Sequence, residues 1–225
     1  MIHADPSKPS PTSEIKQVEF NTIAASFGGL SSAVTKLHQY IHPCTLFTYR
    51  YLLAIGAYGE DTPITKSNLP DNPAAKKLAA GLAQAHKAYN TPNSAVLFVV
   101  HDHEANIFDQ RWLEYHLLED HGIQTRRMTL YEIATSAKLV DRKLIIPSAN
   151  VEHNIQEISV VYLRAGYGPN DYPSNTEWQG RRLLELSKAI KCPTILTQLA
   201  GCKKIQQVLS TEGILERYPR PPMFF

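Results

Sequence analysis

The chain has 225 residues, enough for one sizeable core or two small domains, with 43% hydrophobic and 20% charged residues, an ordinary balance for a globular protein. A net charge of +2 with Lys and Arg scattered, apart from pairs such as Arg126-Arg127, Arg181-Arg182 and Lys203-Lys204, gives no basic stripe with interleaved aromatics and argues against nucleic-acid binding. No secretory signal opens the chain, the most apolar window (44–58) is interrupted by Arg50 and too short for a bilayer, and Cys44, Cys192 and Cys202 form neither a disulfide framework nor a zinc pattern; a cytoplasmic protein with no membrane partner is expected.

In chain order, residues 1–13 are Pro- and Ser-rich and are expected to be disordered. IKQVEFNTI (15–23) reads as a strand by alternation, and AASFGGL (24–30) as a small-residue turn into a helix over about 31–40. Residues 43–72 read mostly as connection, followed by a helix over about 72–89 with Leu78, Leu82, Ala85 and Tyr89 on one face. Strand 95–100 and helix 109–121 come next, closed by Gly122, then a strand near 123–128 and a helix near 130–137. A hairpin of 143–146 with 152–155, a buried strand 158–163, a helix 176–190, a strand near Ile195 and a helix 199–209 complete the reading. Strands alternating with helices of this length predict an α/β fold with a mostly parallel, Rossmann-like sheet.

Two predicted strands run into polar clusters, and in open α/β sheets ligands sit at the carboxyl ends of strands. After Ala95–Val100 come His101, Asp102, His103, Glu104, Asn106, Asp109 and Gln110, a set able to read a polar zwitterion; the alternative is a capping Asp109 in a solvated loop. After 158–163 come Arg164, Gly166 and Tyr167, where a guanidinium fork suits a carboxylate or a structural salt bridge. Glu19 and Asn21, two apart on one side of a strand, can share a hard cation such as Mg²⁺, the alternative being a polar strand face. His101 and His103 lack a third ligand with its own spacing, so metal binding by the pair is not expected.

Four blocks, QVEFNTIAASFGGL (17–30), EANIFDQR (104–111), VVYLRAGY (160–167) and KCPTILTQLAGCKKIQQVL (191–209), resemble the eukaryotic-type glutathione synthetase family in the family's order. The resemblance covers most of 14–42 and 68–212, and residues 43–65 and the proline-rich tail do not share it. It implies a partial N-terminal region over 14–91, a pre-ATP-grasp substrate-binding domain over 92–200, and a helix and tail over 201–225 leading toward an ATP-grasp part. It implies ligation of γ-glutamylcysteine with glycine to give glutathione, with ATP as co-substrate and Mg²⁺ as cofactor, through an acyl phosphate. By resemblance Ile23, Ala24, Ala25, Ser26, Glu104, Ala105, Asn106, Gln110, Arg164, Ala165, Gly166 and Tyr167 bind substrate. Glu19 and Lys203 contact ATP, Glu19 and Asn21 hold Mg²⁺, and no residue is assigned as catalytic. Because the glycine-rich lid and further acidic ligands of the family lie mainly downstream, the expectation is a chain without turnover by itself; the alternative is a non-catalytic module binding γ-glutamylcysteine or glutathione. Homodimerisation stays open.

Overall fold

The computed structural model of the chain describes residues 2–3, 14–15, 18–44, 69–148 and 155–218. They fall into two units, Met1–Ala24 with Cys192–Phe225, and Ala25–Lys191. Among the described residues no helix is long and apolar enough to cross a membrane.

The larger unit is built on strand β3 (Ala95–Val99), in which all five residues are buried. β3 pairs in parallel with β4 (Thr125–Met128) on one side and with β7 (Ile155–Leu163) on the other. Beyond β7 the direction reverses: β6 (Lys143–Pro147) and β5 (Lys138–Val140) continue the sheet as antiparallel strands. The expected hairpin after residue 143 is therefore present, but its second arm is the start of β7, with Pro147 opposite Ile155. Residues 152–154 lie outside the described residues. A short strand β8 (Ile190–Cys192) also pairs with β7.

Alternation along β3 and β7 sorts the side chains onto two faces. Ala95, Leu97, Val99, Val161 and Leu163 join one apolar cluster with Leu130 and Ile133 of helix α4 (Leu130–Ser136) and Leu184 of α5 (Asn175–Leu186). The other face meets helix α2 (Ala74–Tyr89), whose buried residues are Leu82 and the small Ala75, Ala79 and Ala83. Of Leu78, Leu82, Ala85 and Tyr89, expected on one face, Leu82 is buried and the other three are half-buried. The register steps from Ala95–Ile158 to Val96–Val160, leaving Ser159 as a bulge residue. Its hydroxyl donates to the Ala95 carbonyl (3.0 Å), and His86 Nδ1 lies 2.8 Å from the Ser159 hydroxyl oxygen.

Helices α4 and α5 both start in capping boxes, Thr129 with Glu132 and Ser174 with Glu177. They touch at Gly180, where an added Cβ would lie within bonding range of the Leu130 carbonyl oxygen. That atom is backbone and cannot swing aside. Gly180→Ala is therefore expected to cost about 1–3 kcal/mol, read from the urea midpoint; an unchanged midpoint would mean the helices separate freely.

Helix α1 (Gly28–Cys44) starts earlier and ends later than the sequence suggests, and α3 (Ile107–His121) starts two residues earlier. Gly122 closes α3 with φ +67°, as its position predicts. Both α1 and α2 pack with α3, so these parts of the expected N-terminal region share the core of the sheet unit.

The smaller unit departs most from expectation. Ile2–His3 (β1) pairs antiparallel with Glu14–Ile15 (β2), where residues 1–13 were expected to be disordered; the rest of that stretch lies outside the described residues. The predicted strand 15–23 is not borne out: among its described residues strand is limited to Ile15, within Glu14–Ile15, and residues 18–27 follow an irregular path. Its alternation is real, but among the described residues no strand lies beside residues 18–23 to accept the ladder. The strand expected near Ile195 is instead β8, and helix 176–190 stops at Leu186. Thr194 caps helix α6 (Ile195–Ala200), and α7 (Lys203–Leu209) follows after a break at Gly201-Cys202. Gly201 sits against the Thr22 side chain, where a Cβ would overlap it, which fixes where the predicted single helix 199–209 divides.

Candidate substrate site

The carboxyl ends of β3 and β7 lie side by side, with Arg164 opposite the end of β3 through its own N–H to the Val99 carbonyl (2.8 Å). The Arg164 side chain is buried at 5% exposure, so each of its donors needs an acceptor. Nη1 donates to the Ala25 carbonyl (2.6 Å) and Nη2 to Ser26 Oγ (2.5 Å). Tyr162 adds its hydroxyl to the same Ala25 carbonyl (3.0 Å) and lies under the guanidinium, 5.9 Å from ring centre to Cζ. Nε is buried and has no partner among the described residues.

What holds Ala25 and Ser26 there is a residue of α3. Asp109 has no exposed surface, and its two oxygens accept from the N–H groups of Phe27 (2.8 Å), Gly29 (2.8 Å) and Leu30 (3.0 Å). Those are orphan donors at the start of α1, and a carboxylate is favoured at that end of a helix. Gly29 has no room for a side chain: a Cβ would lie 2.8 Å from Trp112 Cδ1 and 3.0 Å from the Asp109 carbonyl oxygen. Asp109 thus caps a helix eighty residues upstream and not its own, whose cap position is Asn106.

Glu104 and Gln110 flank Asp109. Glu104 Oε1 accepts from the Asn106 N–H (2.9 Å), while Oε2 is buried without a partner among the described residues. Gln110, 1% exposed, accepts from Arg127 Nη2 at Oε1 (2.8 Å), and its Nε2 is likewise buried without a partner. Arg127 also donates from Nη1 to Glu114 Oε1 (2.6 Å), and Arg111 Nη1 reaches Glu114 Oε2 (2.6 Å). Glu104, Ala105, Arg127 and Val100 line one cavity of about 560 Å³. Ala165, Val100, Asp171 and Tyr131 line another of about 540 Å³.

The loop after Arg164 is set by Asp171, whose Oδ2 accepts from the N–H groups of Gly166 (2.8 Å) and Tyr167 (2.7 Å). Gly166 has φ +87°, and a Cβ there would meet the Tyr172 hydroxyl at 2.8 Å. Ala165 is a core residue. The Tyr167 hydroxyl donates to the Leu163 carbonyl (3.0 Å), and burial pushes that phenol up to about 12, with the nearby Arg164 charge working against the shift. His101 faces Asp171 at 3.8 Å and His103 faces Asp102 at 3.6 Å, each histidine with a different carboxylate.

In the smaller unit, Lys203 Nζ pairs with Glu19 Oε2, and Asn21 Nδ2 donates to Glu19 Oε1 (3.0 Å). The lysine, chiefly through its hydrogen bond, and Asn21 hold the Glu19 carboxyl below its ordinary value. Thr22 and Phe20 in the same stretch bond to Gln198 and Gln206. Ile23 is half exposed and Ala24 buried, both in this unit, whereas Ala25 and Ser26 belong to the larger one.

Residues 94–200 match the family model described as eukaryotic glutathione synthase. Over that span the chain is similar to the eukaryotic glutathione synthase family. The likeness extends further at the level of single relatives. The chain is 39% identical to the chloroplastic glutathione synthetase of Solanum lycopersicum over 92% of its own length and 34% of that protein's. It is 42% identical to the glutathione synthetase of Homo sapiens over 90% of its length and 38% of that protein's. For the glutathione synthetase large chain of Schizosaccharomyces pombe the figures are 36%, 97% and 43%. The chain therefore spans roughly a third to two fifths of the curated relatives it matches. A glutathione synthetase-like effector of Globodera pallida, in its apo form, has the same fold, with a TM-score of 0.65 at 20% identity over 96% of this chain and 45% of that one.

Of the residues that the glutathione synthase resemblance assigns to substrate, the fold brings Ala25, Ser26 and Arg164 into direct contact. Sequence reasoning missed Asp109, Arg127, Tyr162 and Asp171 as the groups that hold them. Arg127 was visible only as half of a charge pair, and Asp109 as a helix-start signal for the wrong helix.

Proposed function

We propose that this chain carries the γ-glutamylcysteine-recognition part of a glutathione synthetase, an enzyme that joins γ-glutamylcysteine to glycine with ATP. One observation carries the reading. The buried side-chain polar atoms without a partner among the described residues are Glu104 Oε2, Gln110 Nε2 and Arg164 Nε, and all three belong to residues that the resemblance assigns to the γ-glutamyl end. An orphaned buried polar atom costs about 1–3 kcal/mol, so three on one set of residues argue for a ligand that completes them. Their signs suit an amino-acid end: the Glu104 oxygen accepts from an ammonium, and the two nitrogens donate to an α-carboxylate. Glutathione shares that end and would bind through the same contacts.

Glu19 and Asn21 would hold Mg²⁺, and Lys203 a phosphate of ATP. A single carboxylate with a carboxamide fits an ion that is commonly bound by one or two protein oxygens and completed by phosphates and water. The bound cation would neutralise phosphate charge; Lys203, now on Glu19, is the chain's own group able to exchange a carboxylate for a phosphate. The ATP-grasp relation of the fold and the ligation itself belong to this proposal as properties of the whole enzyme.

Calorimetric titration of the folded chain with γ-glutamylcysteine tests the reading. Saturable binding is expected, and acetylation of the ligand's α-amino group, which removes the charge that Glu104 reads, is expected to abolish it. No saturable heat from a chain with native circular dichroism, or equal affinity for the acetylated ligand, would overturn it.

A further inference from the structure

We infer that Arg127 is a positioning residue that locks the Gln110 carboxamide in one orientation, so that the site presents an N–H₂ donor and selects an α-carboxylate on its ligand. This rests on Glu104, Gln110 and Arg164 forming the γ-glutamyl site.

A carboxamide is two-faced, and rotation by half a turn exchanges donor for acceptor. A guanidinium can only donate, so the 2.8 Å contact from Arg127 Nη2 requires Gln110 to turn its oxygen toward Arg127. The nitrogen is thereby sent the other way, and it is the atom left buried without a partner among the described residues. Arg127 is itself fixed: Nη1 is bonded to Glu114, 5% exposed, which also takes Arg111 and the Thr125 hydroxyl (3.4 Å). The planar fork spans both partners at once, which a lysine's single ammonium cannot reproduce. The trio Arg111, Glu114 and Arg127 sums to one positive charge beside Gln110, a field that favours an anionic group on the ligand. Arg127 also forms part of the wall of the cavity lined by Glu104 and Ala105, placing the device at the site.

A residue that acts only through another leaves a signature in a double-mutant cycle. Affinities for γ-glutamylcysteine and for its α-carboxamide analogue would be measured by calorimetry for the wild-type chain, Gln110→Ala, Arg127→Met and the double variant. Wild type is expected to prefer the carboxylate by about tenfold or more, roughly the worth of one hydrogen bond to a charged group. Each single variant is expected to lose most of that preference, and the double variant to bind within about twofold of the weaker single. Arg127→Lys keeps charge and bulk, so it carries the same test if the methionine variant does not fold; it is expected to lie between wild type and Gln110→Ala in preference. An undiminished preference in either Arg127 variant would overturn the inference, as would losses that multiply in the double variant. Absence of wild-type binding would instead overturn the proposed function, and the inference with it.

Discussion

Asp109→Ala is expected to lower the stability of the chain by about 3–5 kcal/mol, close to the upper end for a point substitution. The carboxylate is fully buried and serves three backbone N–H groups at the start of α1, those of Phe27, Gly29 and Leu30. Gly29 is itself buried and packed against Trp112, so water has little room to replace the lost acceptor. Each orphaned donor costs about 1–3 kcal/mol, and ordinary caps, which serve one or two donors at a surface, are worth only about 1 kcal/mol. For a domain of this size the melting temperature should fall by roughly 10 °C. Asp109→Asn retains one acceptor oxygen and turns its amide N–H₂ toward further donors, so it should recover less than half of the loss. A fall of less than about 3 °C for the alanine variant, by differential scanning calorimetry, would mean that the start of α1 is held by something else. Binding should suffer as well, because the same turn delivers Ala25 and Ser26 to Arg164.

Arg164→Ala is expected to weaken γ-glutamylcysteine binding by about a hundredfold or more, the range found when one partner of a buried, hydrogen-bonded charge pair is removed. The same change should cost the fold only about 1–2 kcal/mol. The reason for the asymmetry is Tyr162, whose hydroxyl still reaches the Ala25 carbonyl when the guanidinium is gone, leaving only Ser26 Oγ to find another donor. Arg164→Lys should not restore affinity, since a point charge on a flexible stem cannot serve two partners and keep a third donor for the ligand. Calorimetric affinity compared with the urea midpoint separates the two effects. A stability loss that matches the binding loss would assign Arg164 to the fold alone.

The two predictions share a physical theme. Asp109 and Asp171 are carboxylates that each hold a turn by its backbone N–H groups, one just after Ser26 and one just after Arg164. The held turn at the start of α1 and the held loop after β7 keep Arg164 in place without ligand, and a preorganised site loses less entropy on binding. Glu104, Gln110 and Arg164 then differ from the scaffold in keeping one polar atom each in reserve.

The sequence by itself determined the alternation of strand and helix, because buried strands such as AVLFV and ISVVYL are short, continuous and β-branched, and because Gly122 marks a helix end by local chemistry. It also carried the resemblance to eukaryotic glutathione synthases, since four motif blocks in order depend on residue identity and not on geometry. It misread 15–23, where alternation beyond Ile15 meets no neighbouring strand among the described residues, and 195–209, where a cap at Thr194 and the close approach of Thr22 to Gly201 override the apolar pattern. What only the tertiary structure decided is which polar residues are used up and which are left over. Asp109 looked like the cap of its own helix and serves another; Arg127 stood out only as half of a charge pair and donates to Gln110. Both functions depend on donors and acceptors brought within about 3 Å by packing across seventeen to eighty residues of chain. Hydrogen bonds between residues so far apart in the chain are satisfied by proximity in space, and no local pattern encodes such a partner.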